Sequence, residues 1–251
     1  MTAISLHVKS SDEGSRKHRE EIANRVCKYF TPNLPPELRV LCYLDDRDDC
    51  WLKEQWGGHS NRGIHWPIRG HGLAAWPQDM WHTIAPIDPQ SGEISWPYIS
   101  VVYLHGSTCD SDVQLVMTLS HELQHFLQFV TDRRLWAIHT LLANLLHLPT
   151  HNLKRWFDLP NEREARIVAK RVAESLFGRA AIDEHIVEMM AARNSEEDAA
   201  DWEFIQRIDP SSNYDLIQNT IPLVDEYRQA LEKLKTKFVG DKDLGTVNLD
   251  L

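Results

Sequence analysis

The five residues His-Glu-Leu-Gln-His at 121–125 place two imidazoles four positions apart, with a carboxylate directly after the first. On an α-helix, residues four apart lie on the same face, so His121 and His125 can both reach one metal ion. Imidazole nitrogens bind zinc at about 2.0–2.1 Å, and a catalytic site keeps one position open for water. Glu122 can take a proton from that water, whose pKa zinc lowers towards about 7. This spacing predicts a zinc site with Glu122 as the catalytic base.

A match at only three positions is by itself a hypothesis, and it requires that the five residues lie on a helix. The surrounding sequence favours such a helix. Residues 111–130 contain no proline or glycine, and Ser111 or Asp112 can cap the helix. The apolar residues at helical spacing are Val116, Leu119, Leu123 and Leu127. The alternative interpretation is an ordinary helix that carries two surface histidines and an acid by chance.

A catalytic zinc needs a third protein ligand, and the sequence after the helix offers two glutamates. The metzincin pattern is excluded because Gln128 and Thr131 stand where that class has glycine and histidine. The predicted helix 161–178 contains Glu162 and Glu164, which point to different sides. Its aliphatic face is nearer Glu164, but its alanines weaken that preference, so periodicity leaves the choice open. The other acid would stabilise the helix N-terminus through the dipole.

Taken together, HELQH and the later EREARIVA at residues 162–169 resemble the gluzincin-type zinc peptidases, most closely the ImmA/IrrE-like metallopeptidases. In that family, the H-E-x-x-H helix is followed by a second helix, in which a glutamate directly before an alanine is the third zinc ligand. The resemblance therefore implies Glu164, before Ala165, as the third zinc ligand. It also implies a zincin-like fold and a hydrolase that cleaves peptide bonds.

Two positions depart from the family pattern: Gln124 stands where glycine is common, and Arg166 where asparagine is common. The predicted helix 133–147 is also inserted between the two motifs. The resemblance therefore rests on two helices and leaves the rest of the chain to be read from its own residues.

The chain changes character near residue 110, from short strand-like runs to almost continuous helical patterns. Residues 45–80 read as a long irregular segment. We predict strands at 3–8, 38–44, 81–87 and 97–105, and helices at 15–30, 111–130, 133–147, 161–178, 181–193, 197–207 and 214–238. We therefore expect one α+β, zincin-like domain over residues 1–251. Its mixed part (1–110) would hold a small twisted sheet packed on the HELQH helix, and its helical part (111–251) would supply the third ligand.

The composition is that of a globular protein: 251 residues, 42% hydrophobic and 25% charged, with a net charge of −10. This acidic balance argues against broad nucleic-acid binding, which needs a basic footprint. A local basic group is interpreted as a solvated helix face. Its members are Arg163, Arg166, Lys170 and Arg171.

The four cysteines form no C-x-x-C pair, which favours a reduced cytoplasmic protein over a cysteine metal site. Cys42 and Cys50 could pair only in an oxidising compartment. No stretch has the length and apolarity of a signal peptide or a membrane span, so we expect no membrane partner.

The function that these features favour is a zinc-dependent metallopeptidase acting on a protein or peptide in the cytoplasm. One alternative is a zinc hydrolase of another amide or ester. The other is a non-catalytic zincin-fold binding or regulatory module, against which the intact Glu122 argues. Tyr103 and His105 end the strand just before the HELQH helix, the position at which zinc peptidases commonly have an edge strand that binds the substrate backbone, so both are further candidates. His185, on a later helix, is a candidate for stabilising the oxyanion. The sequence does not specify the oligomeric state.

Overall fold

A small four-stranded sheet forms the N-terminal part of the protein. The computed structural model describes residues 3–46, 63–68, 76, 78–87, 90–148, 150, 152–192 and 196–239. The strands are β1 (Ile4–Lys9), β2 (Val40–Asp45), β3 (Gly63–Pro67) and β4 (Ser100–His105), in the order β1-β2-β4-β3. β1, β2 and β4 are parallel, and β3 is antiparallel to β4. Within the described part of the chain, β3 is therefore an edge strand of this sheet, and β4 is an interior one.

The described helices make up most of the second half of the chain. They are α1 (Glu13–Phe30), α2 (Trp81–Ile84), α3 (Asp112–Thr131), α4 (Arg133–Asn144), α5 (Pro160–Phe177), α6 (Arg179–Ala191), α7 (Glu196–Arg207) and α8 (Leu216–Val239). The expected α+β class is confirmed. No helix within the described ranges is long and apolar enough to cross a membrane.

Two elements of the N-terminal part differ from the sequence prediction. Residues 81–87 were expected to form a strand, which is wrong for its first four residues, because Trp81–Ile84 is a short helix. Met80 and Ile84, four residues apart, are both buried, which is a helical spacing. β3 lies inside the segment 45–80, which was predicted to be irregular; most of that segment, including Cys50, lies outside the described residues.

The sheet is buried on both faces, because successive side chains of a strand alternate between faces. Val40, Cys42 and Leu44 of β2 belong to the main core with α1 and α3. Leu41 and Tyr43 belong to a second cluster on the opposite face, with α2. This packing explains why β2 reads as a continuous apolar run.

α3 is buried on most of its circumference. Ser111 caps its N-terminus, where the Ser111 hydroxyl accepts a hydrogen bond from the main-chain N–H of Gln114 at 3.4 Å. Its apolar side packs in the main core through Leu115, Leu119, Leu123 and Phe126, all at most 1% exposed. The polar residues of the helix that are also buried are Gln114, Thr118, Ser120, Glu122, Gln124, His125 and Gln128. α3 therefore presents a buried polar face as well as an apolar one.

The contacts divide the chain into two compact units, which differ from the division near residue 110. One unit comprises Met1–Arg133 with Glu164–Ser212, and the other comprises Arg134–Arg163 with Asn213–Leu251. The boundary falls within the continuous helix α5, after its first turn. The second unit has its own small apolar core, which contains Leu142, Leu153, Leu159, Leu223 and Tyr227.

Three of the basic residues of α5 (Arg166, Lys170 and Arg171) bind other protein groups, so the interpretation as a solvated face was wrong for them and holds only for Arg163, which is 42% exposed. Arg166 binds both carboxylate oxygens of Asp201, at 2.6 and 3.2 Å. Lys170 is 3% exposed, and its ammonium donates to the main-chain carbonyls of Ile205, Gln206 and Ile208 at 3.0–3.1 Å. Burial lowers the pKa of Lys170. These contacts fix α5 to the middle and to the C-terminal end of α7 within the first unit.

Candidate metal centre

The two histidines of the HELQH sequence converge on one point. Their Nε2 atoms lie 3.0 Å apart. Two nitrogens that each bind a tetrahedral zinc at about 2.0–2.1 Å are separated by about 3.3 Å, so small movements of His121 and His125 would admit the ion. The i, i+4 spacing on α3 therefore produces the arrangement that the sequence predicts.

A carboxylate completes this group, and it belongs to Glu162 in the first turn of α5. One ligand atom from each of His121, His125 and Glu162 lies within 4.8 Å of the others. Glu162 is 3% exposed and His125 is 5% exposed, so two of the three groups are largely removed from water. Two neutral imidazoles and one carboxylate are a common donor set for catalytic zinc, and they leave the fourth coordination position open. The residues present thus fit a metal ion.

The position of Glu162 differs from the assignment of Glu164 that the family resemblance implies. Among the described residues, the cluster that could hold a metal ion consists of His121, His125 and Glu162, and it does not include Glu164. We call this cluster the metal-type group. Both glutamates reach α3, but only Glu162 has a carboxylate oxygen grouped with the two imidazoles. Glu164 Oε2 instead accepts hydrogen bonds from Gln124 Nε2 at 3.0 Å and from Gln128 Nε2 at 2.7 Å.

His125 is also held from its other ring nitrogen. Its Nδ1 lies 2.8 Å from Gln128 Oε1, one helical turn further along α3. The neighbouring His65 on β3 packs against Phe126 and Phe129, with ring centroids 5.8 Å apart in both cases. Burial first, and then the electrostatic influence of His125, hold the pKa of His65 well below its usual value. His65 is therefore neutral near pH 7 and does not place a second cation beside the metal-type group.

Glu122, the predicted base, lies under the edge strand of the sheet. It is 7% exposed and follows His121 on α3. A Cβ atom built on Gly63 of β3 would lie 3.2 Å from Glu122 Cγ, 2.9 Å from Thr118 Cγ2 and 3.2 Å from the Tyr103 carbonyl oxygen. Only glycine allows β3 to approach the Glu122 turn this closely, so Gly63 helps to set the wall of the site.

Replacement of Gly63 by alanine is expected to destabilise the protein by about 1–3 kcal/mol, because the new methyl group overpacks the contact with Thr118. The double variant Gly63→Ala/Thr118→Ser should recover part of this loss, since serine lacks the Cγ2 atom that is 2.9 Å away. Urea unfolding of the two single variants and the double variant gives the coupling. Strictly additive losses would contradict the direct contact.

The other residues singled out from the sequence have different surroundings from those expected. Tyr103 and His105 are on β4, which is an interior strand, so they do not form the edge that was expected. His185 Nε2 lies 3.1 Å from Gln114 Oε1 and stacks edge-on against Trp202. Gln114 precedes Glu122 by eight residues, which is about 12 Å along the helix axis. His185 is therefore anchored about two helical turns away from the predicted base.

The chain was compared with protein-family models, with curated proteins and with solved structures, and it matches none of them. The residues of the metal-type group and their surroundings are therefore the features of this chain that bear on a function.

Proposed function

We propose that this protein is a zinc-dependent hydrolase of the gluzincin type, with a zincin-like fold, that cleaves peptide bonds. The observation that carries the proposal is the convergence of His121, His125 and Glu162 beside Glu122. A purely structural zinc site is closed by four protein ligands and has no use for an adjacent base. A three-ligand group with a neighbouring carboxylate is the arrangement that hydrolysis requires.

In the proposed mechanism, His121 and His125 would hold the ion through Nε2, and Glu162 would hold it through a carboxylate oxygen. The chemistry that bound zinc supplies is Lewis-acid polarisation of the scissile carbonyl and of the attacking water. Glu122 accepts a proton from that water as the new C–O bond forms. It then donates the proton to the amine nitrogen as the C–N bond breaks.

The edge strand supports a peptide as substrate. β3 runs antiparallel to β4 and packs directly on the turn of α3 that contains Glu122. An extended peptide can add to a sheet edge through main-chain hydrogen bonds, which would place its backbone beside the catalytic turn. The free buried thiols of Cys27, Cys42 and Cys109 support a reducing compartment such as the cytoplasm.

The proposal predicts that the purified protein contains about one zinc ion per chain and cleaves an unstructured protein such as casein, or members of a peptide library. A chelator should abolish cleavage and added zinc should restore it, because the ion provides the Lewis acid. His121→Ala, which lacks one ligand, serves as the control and should neither retain zinc nor regain activity.

Two outcomes would overturn the proposal in different ways. A wild-type protein that binds no zinc after reconstitution would remove the metal centre altogether. A protein that binds zinc but cleaves no peptide would leave two classes, a hydrolase of other amides or esters and a non-catalytic binding module. A screen with ester and non-peptide amide substrates separates those two.

A further inference from the structure

A hydrogen-bonded chain runs from α5 to one of the metal-facing histidines. Glu164 Oε2 accepts from Gln128 Nε2 at 2.7 Å, and Gln128 Oε1 lies 2.8 Å from His125 Nδ1. Glu164 Oε2 also accepts from Gln124 Nε2 at 3.0 Å. All three α3 residues are buried, at 5–7% exposed, so these bonds form largely away from competing water.

The Glu164 carboxylate determines which group donates and which accepts in each of these hydrogen bonds. A carboxylate only accepts hydrogen bonds, so Glu164 can bind the amide group of Gln128 only through its NH₂ end. The carbonyl end of Gln128 must then face His125, and a carbonyl also only accepts. His125 Nδ1 therefore carries the proton, and the lone pair of the neutral ring lies on Nε2, the atom that faces His121.

We propose that Glu164 is a positioning residue that acts through Gln128 to fix the tautomer and the ring orientation of His125. This inference rests on the proposed function, because it concerns the readiness of His125 for a metal ion. Without the anchor, the Gln128 amide is free to turn over and donate to Nδ1. The proton then moves to Nε2, and that tautomer cannot bind a metal through Nε2.

The same chain explains the glutamine at position 124. Gln124 and Gln128 are one turn apart on α3, and both donate to the same oxygen of Glu164. Hydrogen bonds to an ionised acceptor are roughly twice as strong as neutral ones. The two hydrogen bonds from Gln124 and Gln128 hold the Glu164 carboxylate in place. The carboxylate can therefore fix the orientation of the Gln128 side-chain amide.

The first test reads the tautomer directly in the metal-free protein. Nitrogen NMR of protein labelled with ¹⁵N-histidine, recorded well above the ordinary histidine pKa range, should show His125 with its proton on Nδ1. In Glu164→Met, a share of His125 should move to the Nε2-protonated form. Glu174→Met, on the same helix about three turns further on, is the matched control and should leave His125 unchanged.

The second test is a double-variant cycle on zinc affinity, measured by competition with a chromophoric chelator. Gln128→Met should weaken zinc binding about 10–100-fold, the usual effect of losing a group that orients a ligand. Glu164→Met should weaken it too. The double variant should be no weaker than Gln128→Met alone, because Glu164 acts only through Gln128.

A role exchange provides the rescue. In Gln128→Glu/Glu164→Gln, the carboxylate at 128 accepts from His125 Nδ1, and the amide at 164 donates to that carboxylate. Zinc affinity and the Nδ1-protonated form should both return close to wild type. The inference is overturned if Glu164→Met keeps the wild-type tautomer and affinity, or if the two methionine variants have additive effects. A wild-type protein that binds no zinc would contradict the proposed function instead, and the NMR result would still decide the tautomer.

Discussion

Replacement of Glu122 by glutamine is expected to lower the rate of peptide cleavage by about 10²–10⁴-fold while zinc binding and folding are retained. Glutamine has nearly the same shape as glutamate, so the packing of this residue against Gly63 is preserved. It cannot accept the proton of the attacking water, so the base is lost and the metal ligands are not. The measurements are turnover, zinc content and the free energy of unfolding of the same preparation.

Glu174→Gln is a suitable control for this variant, because it makes the same chemical change on α5 away from the metal-type group. It should leave turnover unchanged. Full activity of Glu122→Gln would rule out Glu122 as the base and, with it, the proposed mechanism. A loss of zinc together with activity would make Glu122 part of the metal site itself.

The second large effect concerns the two glutamates of α5. Loss of a group that only orients a metal ligand typically weakens metal binding about 10–100-fold. Glu162→Gln is expected to weaken zinc binding by more than this. This variant loses a charged ligand of the metal-type group. Glu164→Gln should have a much smaller effect, because the new side chain still offers one carbonyl oxygen to Gln124 and Gln128.

Chelator competition on the two single variants gives the comparison, and circular dichroism checks that both fold. The reverse order, with Glu164→Gln the more severe, would make Glu164 the third ligand, as the family resemblance implies. Equal and small effects would leave the two histidines without a glutamate partner.

The sequence predicts most of the elements because their periodic patterns are strong and local. Helix α3 was expected at 111–130 and spans Asp112–Thr131. The interior strands β2 and β4 contain uninterrupted apolar runs, at residues 40–44 and 101–104. β3 was missed because it has only five residues and is bounded by Gly63 and Pro67, which are typical of turns. Its strand conformation depends on pairing with β4, which a local pattern does not contain.

The members of the metal-type group also differ in whether a local sequence pattern predicts them. His121 and His125 could be paired from spacing alone, because one helix fixes both. The third member could not, since Glu162 and Glu164 differ only in the direction in which the first turn of α5 faces. That direction depends on how α5 packs. The pairing of Gln128 with His125 could have been suspected from their i, i+3 spacing, but its anchor at Glu164 lies 36 residues further along the chain.

The attachment of α5 to α7 through Lys170 has a consequence for how the sequence can change. The lysine recognises three main-chain carbonyls, which every residue type carries, so substitution at Ile205, Gln206 or Ile208 leaves its acceptors in place. The requirement for this contact falls on Lys170 alone. Aligned relatives would therefore show variation at the end of α7 without any compensating change at position 170. Methods that detect contacts from correlated substitutions would overlook a contact that holds the helix bearing both glutamates.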